Sequence, residues 1–173
     1  EERVQDCLQK ISLSSSHLLH LINEVLDMSK IESGKMRLIE EKCNLMEMIQ
    51  GLRPLLEAKL NENNHKYIAD IQLKNHWFLA DSLRLNQVLV NLLGNALKYS
   101  KPDGHVWLTV RETEEEKGFS NLYFQVRDDG IGIAPEKQQL IFRQFEQADN
   151  SENARKQGTG LGLAISRRIV RMM

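Results

Sequence analysis

Between residues 4 and 25 the chain repeats apolar side chains every seven positions, at Val4, Ile11, Leu18 and Val25, with Leu8 and Ile22 on the adjoining row. Of the regular conformations, an α-helix gathers such a repeat into one narrow stripe. The spacing is that of a coiled coil, so the helix is expected to pack against a partner helix in a bundle. No such partner precedes it in this sequence. Ser-Lys-Ile-Glu-Ser-Gly, residues 29 to 34, should end the helix, because Gly34 can take the left-handed conformation that closes a last turn. The sequence therefore predicts a boundary near Gly34, with residues 1–34 apart from residues 35–173.

Past Gly34 the periodicity becomes mixed. Met36 to Cys43 reads as an extended strand, and Leu45 to Leu60 has helical spacing, with Pro54 expected to disturb one turn. Lys66 to Leu73 reads as a second strand. Asp81 or Ser82 can cap a helix that runs to about Tyr99, and Pro102-Asp103-Gly104 supplies a turn before the alternating stretch His105 to Glu112. Glu-Thr-Glu-Glu-Glu-Lys-Gly, residues 112 to 118, reads as an exposed hairpin turn, and Asn121 to Asp128 as another strand. A short helix after Pro135, a polar segment from Gln147 to Gln157 and a final helix from Gly160 complete the pattern. Strands and helices mixed in this way predict an α+β fold, a two-layer α/β sandwich preceded by a long helix. At 173 residues the chain has room for one domain and an attached helix.

Composition narrows the function by exclusion. With 23 basic and 24 acidic residues the formal charge is -1, so no overall field draws the chain to nucleic acid or to an anionic membrane. Cys7 and Cys43 lack metal-ligand spacing and read as two reduced thiols. No apolar run approaches the roughly 20 residues that span a bilayer, and the charged start is unlike a signal peptide. The piece is expected to be soluble.

Three places carry chemistry. In RLNQVLVNLLGNALKYS, Asn91 and Asn95 share one helix face, with Lys98 and Tyr99 a turn further on. Asparagine is a mediocre helix former, so an aligned pair inside an apolar helix either serves a ligand, faces solvent or satisfies neighbouring backbone. DDGIGI, residues 128 to 133, follows a strand; its glycines permit a tight bend and close approach to a flat ligand, and its leading aspartate can accept a bond from an exocyclic amine. An ordinary strand-to-helix turn would use the same residues. GTGLGL, residues 158 to 163, opens the last helix, where backbone N–H groups and the helix dipole attract phosphate. No Gly-Lys-Ser or Gly-Lys-Thr follows, which excludes a P-loop, and the position is wrong for a dinucleotide fingerprint.

Taken in order, these motifs resemble the N, G1 and G2 boxes of the histidine kinase ATP-binding domain, in the superfamily with gyrase-type and chaperone-type ATPases and the Bergerat-type fold. IFRQFEQAD, residues 141 to 149, resembles the F box, and LLHLINEVLDMSKIESGKMRL resembles the second helix of the dimerisation and phosphotransfer hairpin. The resemblance implies ATP and magnesium as cofactors. Asn95 should ligate the metal through its amide oxygen, Asn91 should support the phosphate-metal cluster, Lys98 should contact phosphate and Tyr99 should line the site. Asp128 should bind the adenine amino group, Gly130 and Gly132 should let the base approach, and Gly158, Thr159, Gly160, Leu161 and Gly162 should wrap the phosphates. Phe142 and Phe145 are either lid anchors or core residues; Arg155 and Lys156 either steady the terminal phosphate or form a solvated pair.

Gyrase-type and chaperone-type ATPases carry a water-activating glutamate four residues before the metal-binding asparagine, where this chain has Asn91. An amide is no general base, so transfer to a protein acceptor is the better expectation than hydrolysis. His17 and His20 lack the family's acid, arginine and proline context, so no catalytic residue is assigned: the phosphoacceptor histidine is expected upstream, on the first hairpin helix. The family's last strands would follow Met173, and Gln157 stands where many relatives have glycine. The implied setting is the cytoplasmic part of a membrane-anchored, homodimeric sensor, of the hybrid type in style, that passes phosphate to a response-regulator receiver domain. The alternatives are a degenerate nucleotide-sensing or partner-docking module without phosphotransfer and, behind it, a water-hydrolysing ATPase.

Overall fold

The computed structural model describes residues 2–116, 118–146 and 158–173. The polar segment that holds Arg155, Lys156 and Gln157 lies outside the described residues. The chain forms two compact units, one of Glu1–Arg37 with Gln139–Arg168 and one of Leu38–Gln138 with Ile169–Met173.

The first unit contains α1 (Glu2–Glu32), a single helix as the heptad spacing predicts. Its end is closed by Gly34 at φ +65°, while the amides of Lys35 and Met36 both turn back to the Lys30 carbonyl. Met28 and Met36 are buried, as are Leu161, Ala164 and Ile165 from the unit's second stretch. Along the stripe, by contrast, Val4, Leu8, Ile11, Leu18, Ile22 and Val25 are all exposed. No helix among the described residues is long and apolar enough to cross a membrane.

The second unit holds the α+β body: β1 (Glu41–Asn44), α2 (Leu45–Gln50), α3 (Leu52–Glu62), β2 (Lys66–Gln72), β3 (Trp77–Ala80), α4 (Ser82–Tyr99), β4 (His105–Glu116) and β5 (Phe119–Asp128). Single 3-10 turns stand at Pro135–Lys137 and Leu140–Phe142 in place of the expected short helix, and α5 spans Gly162–Met172. β4 is the centre of a three-stranded sheet, parallel to β2 and antiparallel to β5, and β1 pairs with β3 in a separate antiparallel ribbon. Alternation along β4 sends Val106, Leu108 and Val110 into the core, where Leu52 and Leu56 of α3 and Leu89 and Leu93 of α4 meet them. Helices thus cover one face of the sheet, as a two-layer sandwich requires.

Several elements differ from the sequence expectation. The segment expected as one helix from Leu45 to Leu60 breaks at Gly51, not at Pro54. Pro54 falls in the first turn of α3, where the missing N–H would have no intrahelical partner anyway. The strand expected from Met36 shrinks to Glu41–Asn44, because Met36 is engaged in closing α1. β3 was not foreseen: all four of its residues are apolar, which hides the period-two signal.

Most of the acidic run expected as a hairpin turn is strand, with Gly118, at φ +85°, in the turn before β5. β4 continues to Glu116 through an irregularity between Glu112 and Glu114. The buried Glu112 carboxylate accepts the backbone amides of Lys74 and Asn75, the Asn75 side-chain amide and the Ser120 hydroxyl. Those donors, the Asn75 backbone amide first, pull its pKa down to about 2.

Candidate functional site

α4 begins at Asp81, whose carboxylate caps it by accepting the Arg84 amide at 2.9 Å and also takes the Ile39 amide at 2.8 Å. One face of the helix is buried through Leu85, Val88, Leu89, Leu93, Ala96 and Leu97. That packing fixes the rotation of the helix and leaves Asn91, Asn95 and Lys98 half-buried beside it. The Lys98 ammonium lies 4.9 Å from the centre of the Tyr99 ring, a cation–π contact at the helix end.

The turn after β5 is seated on that same end. The Tyr99 carbonyl, one of the orphan acceptors of the last turn, receives the Ile131 amide at 3.3 Å. Asp128 is exposed, and its Oδ1 accepts the Gly130 amide at 2.8 Å, which folds the carboxylate over the turn. A Cβ at Gly130 would stand 2.2 Å from the Tyr99 carbonyl oxygen, so no side chain fits there. The close approach that Gly130 permits is therefore made by α4. Gly132, at φ +70° with open space around it, supplies the left-handed step that turns the chain away.

Asp129 is the residue that the sequence reading passed over. Its Oδ1 accepts the Ser100 hydroxyl at 2.9 Å, and its Oδ2 accepts the His105 amide at 3.0 Å and lies 3.2 Å from His105 Nδ1. The His105 amide foremost, with help from the Ser100 hydroxyl and the His105 ring and against the effect of burial, holds this carboxyl below the usual carboxylate range. The available signal was a second acid directly behind the one that the motif explains.

The glycine-rich run 158 to 162 belongs to the other unit. There Gly160 has φ +72°, and a Cβ on it would come 2.8 Å from the Phe145 Cα; its carbonyl accepts the Phe145 amide at 3.1 Å. Thr159 Oγ1 accepts the Leu161 amide at 3.1 Å, and the Leu161 side chain is buried. Gly158 precedes the run's fold-back and Gly162 is the first residue of α5, two positions later than expected. Phe142 and Phe145 are both exposed, so neither is a core residue; the Arg167 guanidinium stands 5.4 Å from the Phe142 ring. Gln144 donates to Glu32 at 2.8 Å, and thereby ties the Phe-rich segment to α1 within this unit.

Among the described residues no group of three or more His, Cys, Asp or Glu side chains is placed to hold a metal ion. A divalent ion at α4 would thus rely on amide oxygen and on oxygens of its own ligand, a donor set that suits magnesium.

Residues 80–173 match the family described as histidine kinase-, DNA gyrase B-, and HSP90-like ATPase. The chain is 38% identical over 99% of its length to the circadian input-output histidine kinase CikA of Synechococcus elongatus, covering 22% of that protein. It is 38% identical over 97% of its length to the sensor protein GacS of Pseudomonas syringae pv. syringae, covering 18% of it. The full-length structure of ShkA in complex with AMPPNP superimposes with a TM-score of 0.76 at 30% identity, covering 92% of this chain and 32% of that one. The chain thus spans about a fifth of the length of these curated relatives.

Proposed function

Because the chain belongs to the histidine kinase-, DNA gyrase B- and HSP90-like ATPase family, we propose that it is the ATP-binding catalytic core of a two-component sensor histidine kinase. Residues 1–34 are then the second helix of the dimerisation hairpin, and residues 35–173 the catalytic domain. The observation that carries this reading is the docking of the Asp128–Gly132 turn onto the carbonyl end of α4. It brings the aspartate suited to an adenine amine to the helix that bears Asn91, Asn95 and Lys98.

In this reading Asp128 accepts the exocyclic amine of the base, Tyr99 lines the pocket and Lys98 neutralises phosphate charge. Asn95 would present its amide oxygen to the metal, and Asn91 would support the same phosphate-metal cluster. Bound magnesium would supply charge neutralisation at the phosphates. Gly158, Thr159, Gly160, Leu161 and Gly162 carry the phosphate-wrapping role of the family.

The reaction joins a histidine imidazole nitrogen to the γ-phosphorus while the bond to the β–γ bridging oxygen breaks and ADP leaves. Positioning and electrostatics do most of this work. Asn91, standing where the hydrolytic relatives have their base, has no site to take a proton from water, which favours a protein acceptor. In the whole protein the acceptor histidine lies on the first hairpin helix of a homodimer on the cytoplasmic side of a membrane-anchored sensor. A response-regulator receiver domain takes the phosphoryl group next.

Calorimetric titration with ADP and a non-hydrolysable ATP analogue, with and without magnesium, tests the reading. The expected result is magnesium-dependent binding that weakens at least about tenfold in Asn95→Ala. A folded chain that binds neither nucleotide overturns it.

A further inference from the structure

Asp129 occupies a slot that only this local backbone can make. A Cβ at Gly104 would lie 2.5 Å from Asp129 Oδ1 and 3.0 Å from Ser100 Oγ, so the absence of a side chain at Gly104 is what admits the carboxylate. From that slot one side chain ties three pieces of chain together: the residue that caps the C-terminus of α4, the first residue of β4, and the turn that carries Asp128. Gly130 closes the same junction from the other side against the Tyr99 carbonyl.

We infer that Asp129 is a positioning residue that sets where the base-reading Asp128 stands relative to the phosphate-facing side chains of α4, and so tunes nucleotide affinity and the preference for adenine. The inference rests on the nucleotide-binding reading above and adds to it a residue that touches no ligand. Asp128 is exposed at the end of β5, opposite Val106, and its carboxylate accepts the Gly130 amide of the turn that follows. The turn is anchored by the Ile131 amide donating to the Tyr99 carbonyl and by the Asp129 carboxylate accepting from Ser100 and His105. Acceptors are what the site requires: Ser100 Oγ–H and His105 N–H both donate, and a carboxylate has an oxygen for each. An asparagine in the same place keeps its oxygen for the His105 amide and turns its amino group to the Ser100 oxygen, so the geometry survives the loss of charge.

The test is titration of the 173-residue chain with ADP and with GDP, in the parent and in Asp129→Ala, Asp129→Asn and Ser100→Ala, alongside thermal melting. The expected result for Asp129→Ala is about a tenfold loss of ADP affinity with a smaller change for GDP, so that the ADP-to-GDP preference narrows. Asp129→Asn restores both to within about threefold, and Ser100→Ala, which keeps the carboxylate, falls between. Hydrogen exchange without nucleotide should quicken at the Gly130 and Ile131 amides in the alanine variant.

If the alanine variant fails to fold, the Ser100→Ala comparison carries the test. Variants that melt at lower temperature yet keep the parent affinity and base preference overturn the inference and leave Asp129 a structural residue. A parent chain that binds neither nucleotide overturns the nucleotide reading itself, a separate and recognisable failure.

Discussion

α4 and α1 are both long amphipathic helices, yet their apolar faces meet different fates. The 18 residues of α4 bury six apolar side chains, and its first turn is capped by a carboxylate that takes two backbone amides. The 31 residues of α1 leave their heptad stripe in solvent, and the acid that α1 does bury, Glu24, has an Oε2 without a hydrogen-bond partner. A period of three to four residues therefore announces a helix with an apolar face but is silent on what covers that face. α4 is held by the sheet of its own unit. α1 is helical while its stripe is exposed, the pattern expected of a seam in a bundle.

This contrast has a wide energetic range. Leu93 is fully buried, so Leu93→Ala should cost about 2–5 kcal/mol in a denaturant titration, through lost burial and the cavity left behind. A loss below about 1 kcal/mol would mean that α4 is no better held than α1. Removing the cap, Asp81→Ala, should cost about 1–2 kcal/mol, since it orphans the Arg84 and Ile39 amides, and asparagine at that position should recover most of the loss. Ile11→Ser on α1 should leave the unfolding free energy within about 0.5 kcal/mol of the parent. Analytical ultracentrifugation of the same variant would sharpen the contrast: any self-association of the parent should weaken, and an unfolding loss comparable to that of Leu93→Ala would show the stripe to be buried in solution.

Where a pattern rests on strong local chemistry the sequence reading and the structure coincide. α4 has a capping acid, an uninterrupted apolar period and a turn of Pro102-Asp103-Gly104 behind it, and its predicted limits agree with the fold. α1 and its Gly34 stop are equally plain. What was illegible depended on partners far along the chain. Gly51, rather than Pro54, breaks the second helical stretch because a proline is harmless in a first turn. The acidic run that starts at Glu112 reads as a turn until the donors on Lys74, Asn75 and Ser120 are brought to the Glu112 carboxylate from other segments. At the site, the motif residues could be named through the resemblance of their boxes to the family's, since spacing alone leaves each open to an ordinary helix or turn reading. Asp129 could not, because its three contacts come together only when Ser100, His105 and the post-β5 turn converge.

The parallel pairing of β2 with β4 sets an order of events in time. Lys66 stands opposite His105, so the ladder closes only after the ribbon strand β3 and the whole of α4 have been laid between its two edges. Such a closure loses chain entropy before any ladder bond forms, which slows folding relative to a hairpin such as β4–β5. During synthesis α4 emerges before β4, the strand whose Val106, Leu108 and Val110 share its core. A nascent chain halted before His105 carries the asparagine helix without the closed sheet that holds it.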